Sequence, residues 1–332
     1  MQLENLIDIE WIAHLLLKDK IKTGPQIKIL DKSSYTFSDK LILDTNTDLL
    51  VMQGSFDPPT VAHLELMKKV LDLITVLEGK KKYRILILLS LAHVQKKFEV
   101  TKSCLFGYRF DMLELLFSKE NMPHNISFGL SNEARYVDLM DAFPKKLLNS
   151  ITFIVGTDVF QKVLDQAFYS VPLENLYEKI FAVNYYVIGR NNLVNPDQFT
   201  NWLSSIIGSN SMIQNHIRFI EIPSKFQKIS STKIRAKIKN GEVPRDIELS
   251  PMVRRYIFSN LFYSTDLNWI TLQTVIYESI NTIIKDNGTI DEAKSFISLF
   301  LEDRVAIQEI QTLNNTKLQE EFIIKRWKEF KG

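Results

Sequence analysis

The sequence predicts an α/β fold, a doubly wound parallel sheet with helices on both faces, followed by a C-terminal helical appendage. Two observations predict it. Short, strongly apolar runs alternate with segments of helical periodicity from residue 49 to residue 222. From Asp266 onward proline disappears, glycine becomes rare and three helical stretches follow. Strands alternating with helices imply right-handed crossovers and a sheet covered on both faces, whose strands are apolar throughout.

The elements follow in order. Leu3 to Leu17 repeats apolar residues at helical spacing, and Gln26 to Leu30 alternates like a short strand. Residues 1–46 therefore read as a small N-terminal helix and strand addition. The core, residues 47–264, opens with the run Leu49-Leu50-Val51-Met52, which leads to Gly54 and reads as a buried strand. Helical patterns are expected at Val61 to Leu77, Phe106 to Phe117 and Val137 to Leu148. Strands are expected at Arg84 to Leu89, Ile126 to Leu130, Ile151 to Val155, Phe181 to Ile188 and Ile217 to Ile222. The C-terminal region, 265–332, carries helical stretches at roughly 267–286, 291–312 and 316–330, with Asp291 as the expected N-cap of the second. No internal repeat or low-complexity segment is present.

Composition narrows the function classes. Of 332 residues, 45% are hydrophobic and 24% charged, the balance of an ordinary globular protein with a sizeable core. The formal net charge is +2, too small to drive the whole molecule onto nucleic acid or a membrane. Cys104 is the single cysteine, which excludes a disulfide framework, argues against a thiolate metal site and fits a reducing cytoplasm. Met1 to Glu10 has no basic leader region, and no apolar run is long enough to span a bilayer. A cytoplasmic protein without a membrane partner is expected.

Two strings carry chemistry. The first is Gly54-Ser55-Phe56-Asp57-Pro58-Pro59-Thr60-Val61-Ala62-His63, set between the first core strand and the first core helix. Ligands of open parallel sheets bind off the carboxyl ends of strands. Gly54 permits a sharp turn and a close approach to phosphate. Thr60 stands at a helix N-terminus, where free amides and the helix dipole favour anions, and His63 follows one turn later. The string is not a P-loop, because it lacks the Gly-Lys-Ser/Thr ending. The second string is Ile229-Ser230-Ser231-Thr232-Lys233-Ile234-Arg235, which follows the last core strand and opens a short helix to Lys239. Ser230 and Ser231 are natural caps, and Arg235 lies one turn on. Alone, this string reads equally well as a capped surface helix.

Together the strings resemble the signature pair of the nucleotidylyltransferase superfamily. The resemblance covers about residues 48–262 and implies a Rossmann-like α/β domain. Further strings are most similar to the nicotinate or nicotinamide mononucleotide adenylyltransferases: Gly107-Tyr108-Arg109-Phe110-Asp111-Met112-Leu113, Ala92-His93-Val94-Gln95-Lys96-Lys97, Phe153-Ile154-Val155-Gly156-Thr157-Asp158, Val187-Ile188-Gly189-Arg190 and Ser250-Pro251-Met252-Val253-Arg254-Arg255-Tyr256-Ile257. There are departures. Position 60 is Thr where many relatives have His, and position 62 is Ala where many have Gly. Relatives often stack the pyridine ring on a tryptophan after Gly-x-Asp; here the candidates are Phe160, Phe168 and Tyr169.

The resemblance implies transfer of the adenylyl group of ATP to nicotinate or nicotinamide mononucleotide, giving a dinucleotide and pyrophosphate, with Mg2+ accompanying ATP and no dedicated metal ligands. It implies catalytic roles for His63, Thr60, Lys97 and Arg235. It implies ATP contacts from Gly54, Ser55, Phe56, His63, Gly156, Asp158, Ile229, Ser230, Ser231, Thr232 and Arg235. It implies acceptor contacts from Lys96, Lys97, Arg109, Tyr136, Phe160, Phe168 and Arg190, with the choice between Lys96 and Lys97 open. Another acceptor on the same scaffold, phosphopantetheine or a substrate of CTP-dependent transfer, is the nearest rival. A non-catalytic nucleic-acid or regulatory binding protein is the second, resting on Lys80-Lys81-Lys82 and the basic stretch Lys225 to Lys239; the absence of interleaved aromatics argues against nucleic acid. The C-terminal helices are a candidate homo-oligomer interface.

Overall fold

The computed structural model describes residues 1–31, 36–38, 47–77, 82–92, 103–118, 122, 126–190, 193–208, 211–313 and 315–332. In chain order the elements are α1 (Leu3–Thr23), β1 (Ile27–Asp31), β2 (Thr36–Ser38), β3 (Thr47–Gly54), α2 (Val61–Leu77), β4 (Lys82–Ser90), α3 (Phe106–Leu116), β5 (Ile126–Ser131), α4 (Tyr136–Leu139), β6 (Ile151–Gly156), α5 (Thr157–Val163), α6 (Tyr177–Ile180), β7 (Asn184–Ile188), α7 (Pro196–Ile207), α8 (Ser211–Gln214), β8 (Ile217–Ile220), α9 (Ser224–Gln227), α10 (Ser231–Lys239), α11 (Pro251–Ser259), α12 (Leu267–Lys285), α13 (Ile290–Glu302), α14 (Arg304–Thr312) and α15 (Thr316–Lys331).

Among the described residues eight strands form one sheet in the order β2-β1-β5-β4-β3-β6-β7-β8. β3 to β8 are mutually parallel, and β1 runs antiparallel to both β2 and β5. Side chains alternate across a strand, so a strand buried on both faces must be apolar at every position. β3 shows this: Leu50 and Met52 enter one core with α2, α3 and α11, while Leu49 and Val51 enter the other with α5 and α7. β4 divides in the same way, Ile85, Ile87 and Leu89 against Leu86 and Leu88. The fold is the expected α/β sheet flanked by helices, with antiparallel strands added at one edge.

The N-terminal helix is part of this packing. Ile9, Ala13 and Leu16 of α1 face the first core, and Leu6, Ile7 and Trp11 face a third core built with α12 to α15. No helix among the described residues is long and apolar enough to cross a membrane.

Four local expectations are corrected. The helix expected over Val137 to Leu148 stops at Leu139 and gives way to 3-10 turns, because Pro144 lacks an amide donor and holds Phe143 extended (φ −93°, ψ 145°). The strand expected from Phe181 starts at Asn184, since the Phe181 amide closes α6 on Tyr177 (2.9 Å). The helix expected over 291–312 is two, divided at Asp303, whose carboxylate caps α14 through Val305 and Ala306. The N-cap of α13 is Thr289 rather than Asp291, because Thr289 and Glu292 form a reciprocal capping box that an aspartate two residues later cannot offer. α7 stands where no element is expected, started by Asn195 and Pro196 and stopped by Gly208 at φ +64°.

Candidate active site

From β3 the chain winds outward through β4 and β5 on one side, then returns to lay β6, β7 and β8 on the other. The reversal opens a crevice beyond the carboxyl ends of β3 and β6, the place where such sheets bind ligands. Two adjoining cavities occupy it. One, of about 250 Å³, is bounded by Asp57, Arg109, Ile229, Ser230, Thr232 and Arg235. The other, of about 260 Å³, is bounded by Gln53, Gly54, Tyr136, Gly156, Val159 and Lys162. Ser55, His63, Ser90, Ala92, Arg190 and Ser231 line both, so a histidine and an arginine stand where the cavities meet.

His63 lies in the first turn of α2, and its surroundings determine which ring nitrogen carries the proton. The Thr60 amide donates to Nδ1 (2.9 Å), and the Thr60 hydroxyl lies 2.8 Å from the same atom. Nδ1 is therefore an acceptor, and in the neutral ring the proton sits on Nε2, at the end that meets the cavities. Burial, aided by the charge of Arg190, lowers the His63 pKa to about 3 against the upward pull of Thr60. The Phe56 ring packs edge-on to His63, with centroids 5.1 Å apart, and Phe56 itself adopts a left-handed backbone (φ 42°). His63 is thus a neutral, oriented N–H donor.

Asp57 ties the site together. It is buried (3% exposed), and Oδ1 accepts from the Cys104 amide (3.1 Å) and the Tyr263 hydroxyl (2.8 Å). Arg109 Nε stands 3.6 Å from Oδ1 and Arg235 Nη1 3.4 Å from Oδ2. The same arginines grip the loop backbone: Arg109 donates to the Ser55 carbonyl (3.2 Å) and the Cys104 carbonyl (2.7 Å), and Arg235 donates to the Asp57 carbonyl. Ser231 donates to the Pro58 carbonyl (2.8 Å). The two sequence strings, more than 160 residues apart in the chain, are therefore clamped directly on each other. Ser230 is the N-cap of α10, its oxygen accepting from the Lys233 amide (3.3 Å).

Arg190 is carried in from the end of β7. The Thr157 hydroxyl donates to the Arg190 carbonyl (2.8 Å) and accepts from its amide (3.0 Å), and Arg190 Nη2 donates to Ile229 (2.7 Å). Gly156 has no room for a side chain beside it: a Cβ would lie 2.5 Å from Asp158 Oδ1 and 3.0 Å from Arg190 Cδ. Gly156→Ala is expected to displace both side chains and to cost about 1–3 kcal/mol of folding stability, which urea unfolding measures. An unchanged stability would show that both neighbours give way without strain.

A family model for cytidylyltransferase-like proteins matches residues 51–237, more than half of the chain. The chain belongs to the cytidylyltransferase-like family. It is thereby placed in the nucleotidyltransferase superfamily. No curated protein matches the chain. The family segment begins within β3 and ends within α10, so it contains both clamped strings, whereas α1 and α12 to α15 lie outside it.

Within this cytidylyltransferase-like domain most expected residues converge. Gly54, Ser55, Phe56, Thr60, His63, Ile229 to Thr232 and Arg235 surround the crevice, with Gly156 and Tyr136 on its far side, Asp158 beside Gly156, and Arg190 where the cavities meet. Tyr136 is buried, with its hydroxyl 3.4 Å from the Gln53 carbonyl, and burial raises its pKa, so it stays a neutral phenol. Arg109 reaches the crevice chiefly as a brace for the 54–58 loop. Phe160 is corrected: it is fully buried against Tyr185, Phe199 and Trp202 and lines neither cavity, because its place on α5 turns it into the second core. Phe168 lies in a 3-10 turn outside the residues lining the cavities, its carbonyl accepting from Arg135, and Tyr169 packs on the second core with its hydroxyl on Val163. Lys96 and Lys97 lie outside the described residues.

Sequence reasoning gave no role to Asp57, although it sits inside the first string. It also gave none to Gln53, whose amide donates to the Glu133 carbonyl (2.5 Å) and whose Oε1 is buried with no hydrogen-bond partner among the described residues. The end of β4 at Ser90 was a readable signal, since a parallel strand delivers its last residues to the crevice.

Proposed function

We propose that the protein transfers the adenylyl group of ATP to nicotinate or nicotinamide mononucleotide and releases pyrophosphate. The observation that carries the reading is the pair of cavities meeting at His63 and Arg190. Two substrates lodged side by side would bring a phosphate of each to that junction. Arg109, Arg190 and Arg235 line the first cavity, a wall suited to a polyphosphate. Arg190 Nε and Asp158 Oδ1 are buried with no hydrogen-bond partner among the described residues, as expected of groups that complete their bonding with a substrate. The choice of pyridine mononucleotide as acceptor rests on the strings at 107–113, 153–158 and 251–257.

The chemistry asks little covalent work of the protein. An oxygen of the acceptor phosphate attacks the α-phosphorus of ATP, a new P–O bond forms, and the bond to the β-phosphate oxygen breaks with its electron pair leaving on pyrophosphate. The nucleophile is already an anion, so no strong base is required. His63 donates its Nε2 proton as a hydrogen bond to a non-bridging oxygen whose charge grows in the transition state. Arg190 neutralises the same region from the opposite wall, while Arg235 and the first amides of α10 hold the leaving pyrophosphate. Asp57, the one carboxylate among the described residues lining the first cavity, is already engaged by Arg109 and Arg235. Magnesium would accordingly be held by the triphosphate and water, and would supply further charge neutralisation.

The test is pyrophosphate release from purified protein with Mg2+, each of ATP and CTP, and a panel of nicotinate mononucleotide, nicotinamide mononucleotide and phosphopantetheine. Release with ATP and a pyridine mononucleotide, with the dinucleotide recovered, is expected. Release only with CTP or only with phosphopantetheine would keep nucleotidyl transfer and overturn this choice of substrates. No release with any pair would overturn the catalytic reading.

A further inference from the structure

α1 lies outside the family segment, yet it packs against α3, whose Phe106 and Arg109 line the first cavity. Glu10 on α1 is fully buried, and its Oε1 accepts from the Gly107 amide (2.9 Å) in the first turn of α3. α3 has no cap of its own: Leu105, at the N-cap position, makes no side-chain cap hydrogen bond. Its orphan amides are met from elsewhere, by Glu10 and by Gln273 of α12, which accepts from the Leu105 amide (2.9 Å). The contact is close, for a Cβ on Gly107 would lie 2.6 Å from Leu6 Cδ1 and 3.1 Å from Met1 Sδ. Two residues after Gly107 comes Arg109, the brace of the Ser55 and Cys104 carbonyls, and Phe106 and Arg109 both line the first cavity.

We propose that Glu10 is a positioning residue of this site: from the added N-terminal helix it caps α3 in trans and so sets where Arg109 holds the 54–58 loop. The role of the loop in phosphate binding rests on the proposed function; the positioning itself does not. Further observations fit. Among the described residues Glu10 Oε2 is buried with no hydrogen-bond partner, and burial, partly offset by the Gly107 amide, Arg109 and the Phe106 amide, raises the Glu10 pKa from 4.5 to about 7. The groups that face it are His14 on α1, lowered to about 4 by burial, Tyr108 and Arg109 on α3, and Tyr277 on α12; Asp111 acts on Tyr108 and Glu278 on Tyr277. Asp111 is engaged by the Tyr256 hydroxyl (2.5 Å) and the Met1 amino group (3.1 Å). The sign follows from linkage. A carboxyl whose folded pKa is raised contributes stability that is fully present below 4.5 and is lost as pH rises through 7, so ionised Glu10 favours release of α1 from α3.

Hydrogen exchange needs no ligand and reads the positioning directly. Protection factors of 54–60 and 103–110 are compared with those of β6 in wild type, Glu10→Ala and Glu10→Gln at pH 6 and 8. Glu10→Ala is expected to lower protection of both segments about fivefold, the effect of a lost helix cap, with β6 unchanged. Glu10→Gln keeps an acceptor but cannot ionise, so the ratio of wild-type to variant protection is expected to fall about tenfold between pH 6 and 8, the His14 contribution cancelling. Should Glu10→Ala unfold the whole chain, this ratio decides alone. Unchanged protection of 54–60 in a folded Glu10→Ala variant, or a ratio independent of pH, overturns the proposal. A wild type that releases no pyrophosphate would overturn the proposed function and leave the exchange result to stand by itself.

Discussion

His63→Ala is expected to lower kcat by about 10²- to 10³-fold while changing the KM for ATP little, the loss that follows removal of one oriented donor to a developing charge. The reason lies in how the donor is prepared. With Nδ1 occupied by the Thr60 amide, the ring presents its Nε2 proton to the junction of the two cavities without first having to select a tautomer. Because burial and Arg190 lower the pKa to about 3, the ring of the free protein is neutral near pH 7. An acid limb near the usual histidine value in the kcat/KM profile should therefore be absent, or should survive unchanged in a weakly active His63→Gln variant. A kcat for His63→Ala within threefold of wild type would remove His63 from the transition state. A large rise in KM at constant kcat would instead assign it to ground-state binding.

Local signals were legible where a few consecutive residues dictate the backbone. Gly54 to His63 announces a strand end, a tight loop and a helix start, and Ser230 announces the cap of α10; both elements form there because propensity and tertiary packing agree. The alternation of β3 and β4 between two cores was legible for the same reason. What joins distant segments was not. Asp57 meets Cys104, Arg109, Arg235 and Tyr263, and nothing in the spacing of those residues marks them as neighbours. The capping of α3 by Glu10 and Gln273 was hidden likewise, since both lie on helices outside the family segment. Phe160 shows the opposite failure. Adjacency to Gly156 and Asp158 suggested a ligand contact, but two residues along a helix is a rotation of about 200°, which carries the ring from crevice to core.

Asp57→Ala is expected to cost about 3–5 kcal/mol of folding stability, because it leaves two guanidiniums facing a gap in place of their carboxylate. It also strips the acceptor from the Cys104 amide and the Tyr263 hydroxyl. Urea unfolding measures the loss, and a value below about 1 kcal/mol would mean that the arginines find other partners. Asp57→Asn should fall between the two, since one oxygen can still accept while the charge is gone. A double-mutant cycle separates the parts. Tyr263→Phe in wild type removes one hydrogen bond to a charged group, worth about 1.5–3 kcal/mol. In the Asp57→Ala background the same change should cost almost nothing, because its acceptor is already absent. Full additivity would show that Tyr263 contributes only packing. Since Arg109 and Arg235 both engage the Asp57 carboxylate, one on each oxygen, ATP affinity should fall further in Asp57→Ala than in Tyr263→Phe, whose ring leaves both guanidiniums in place.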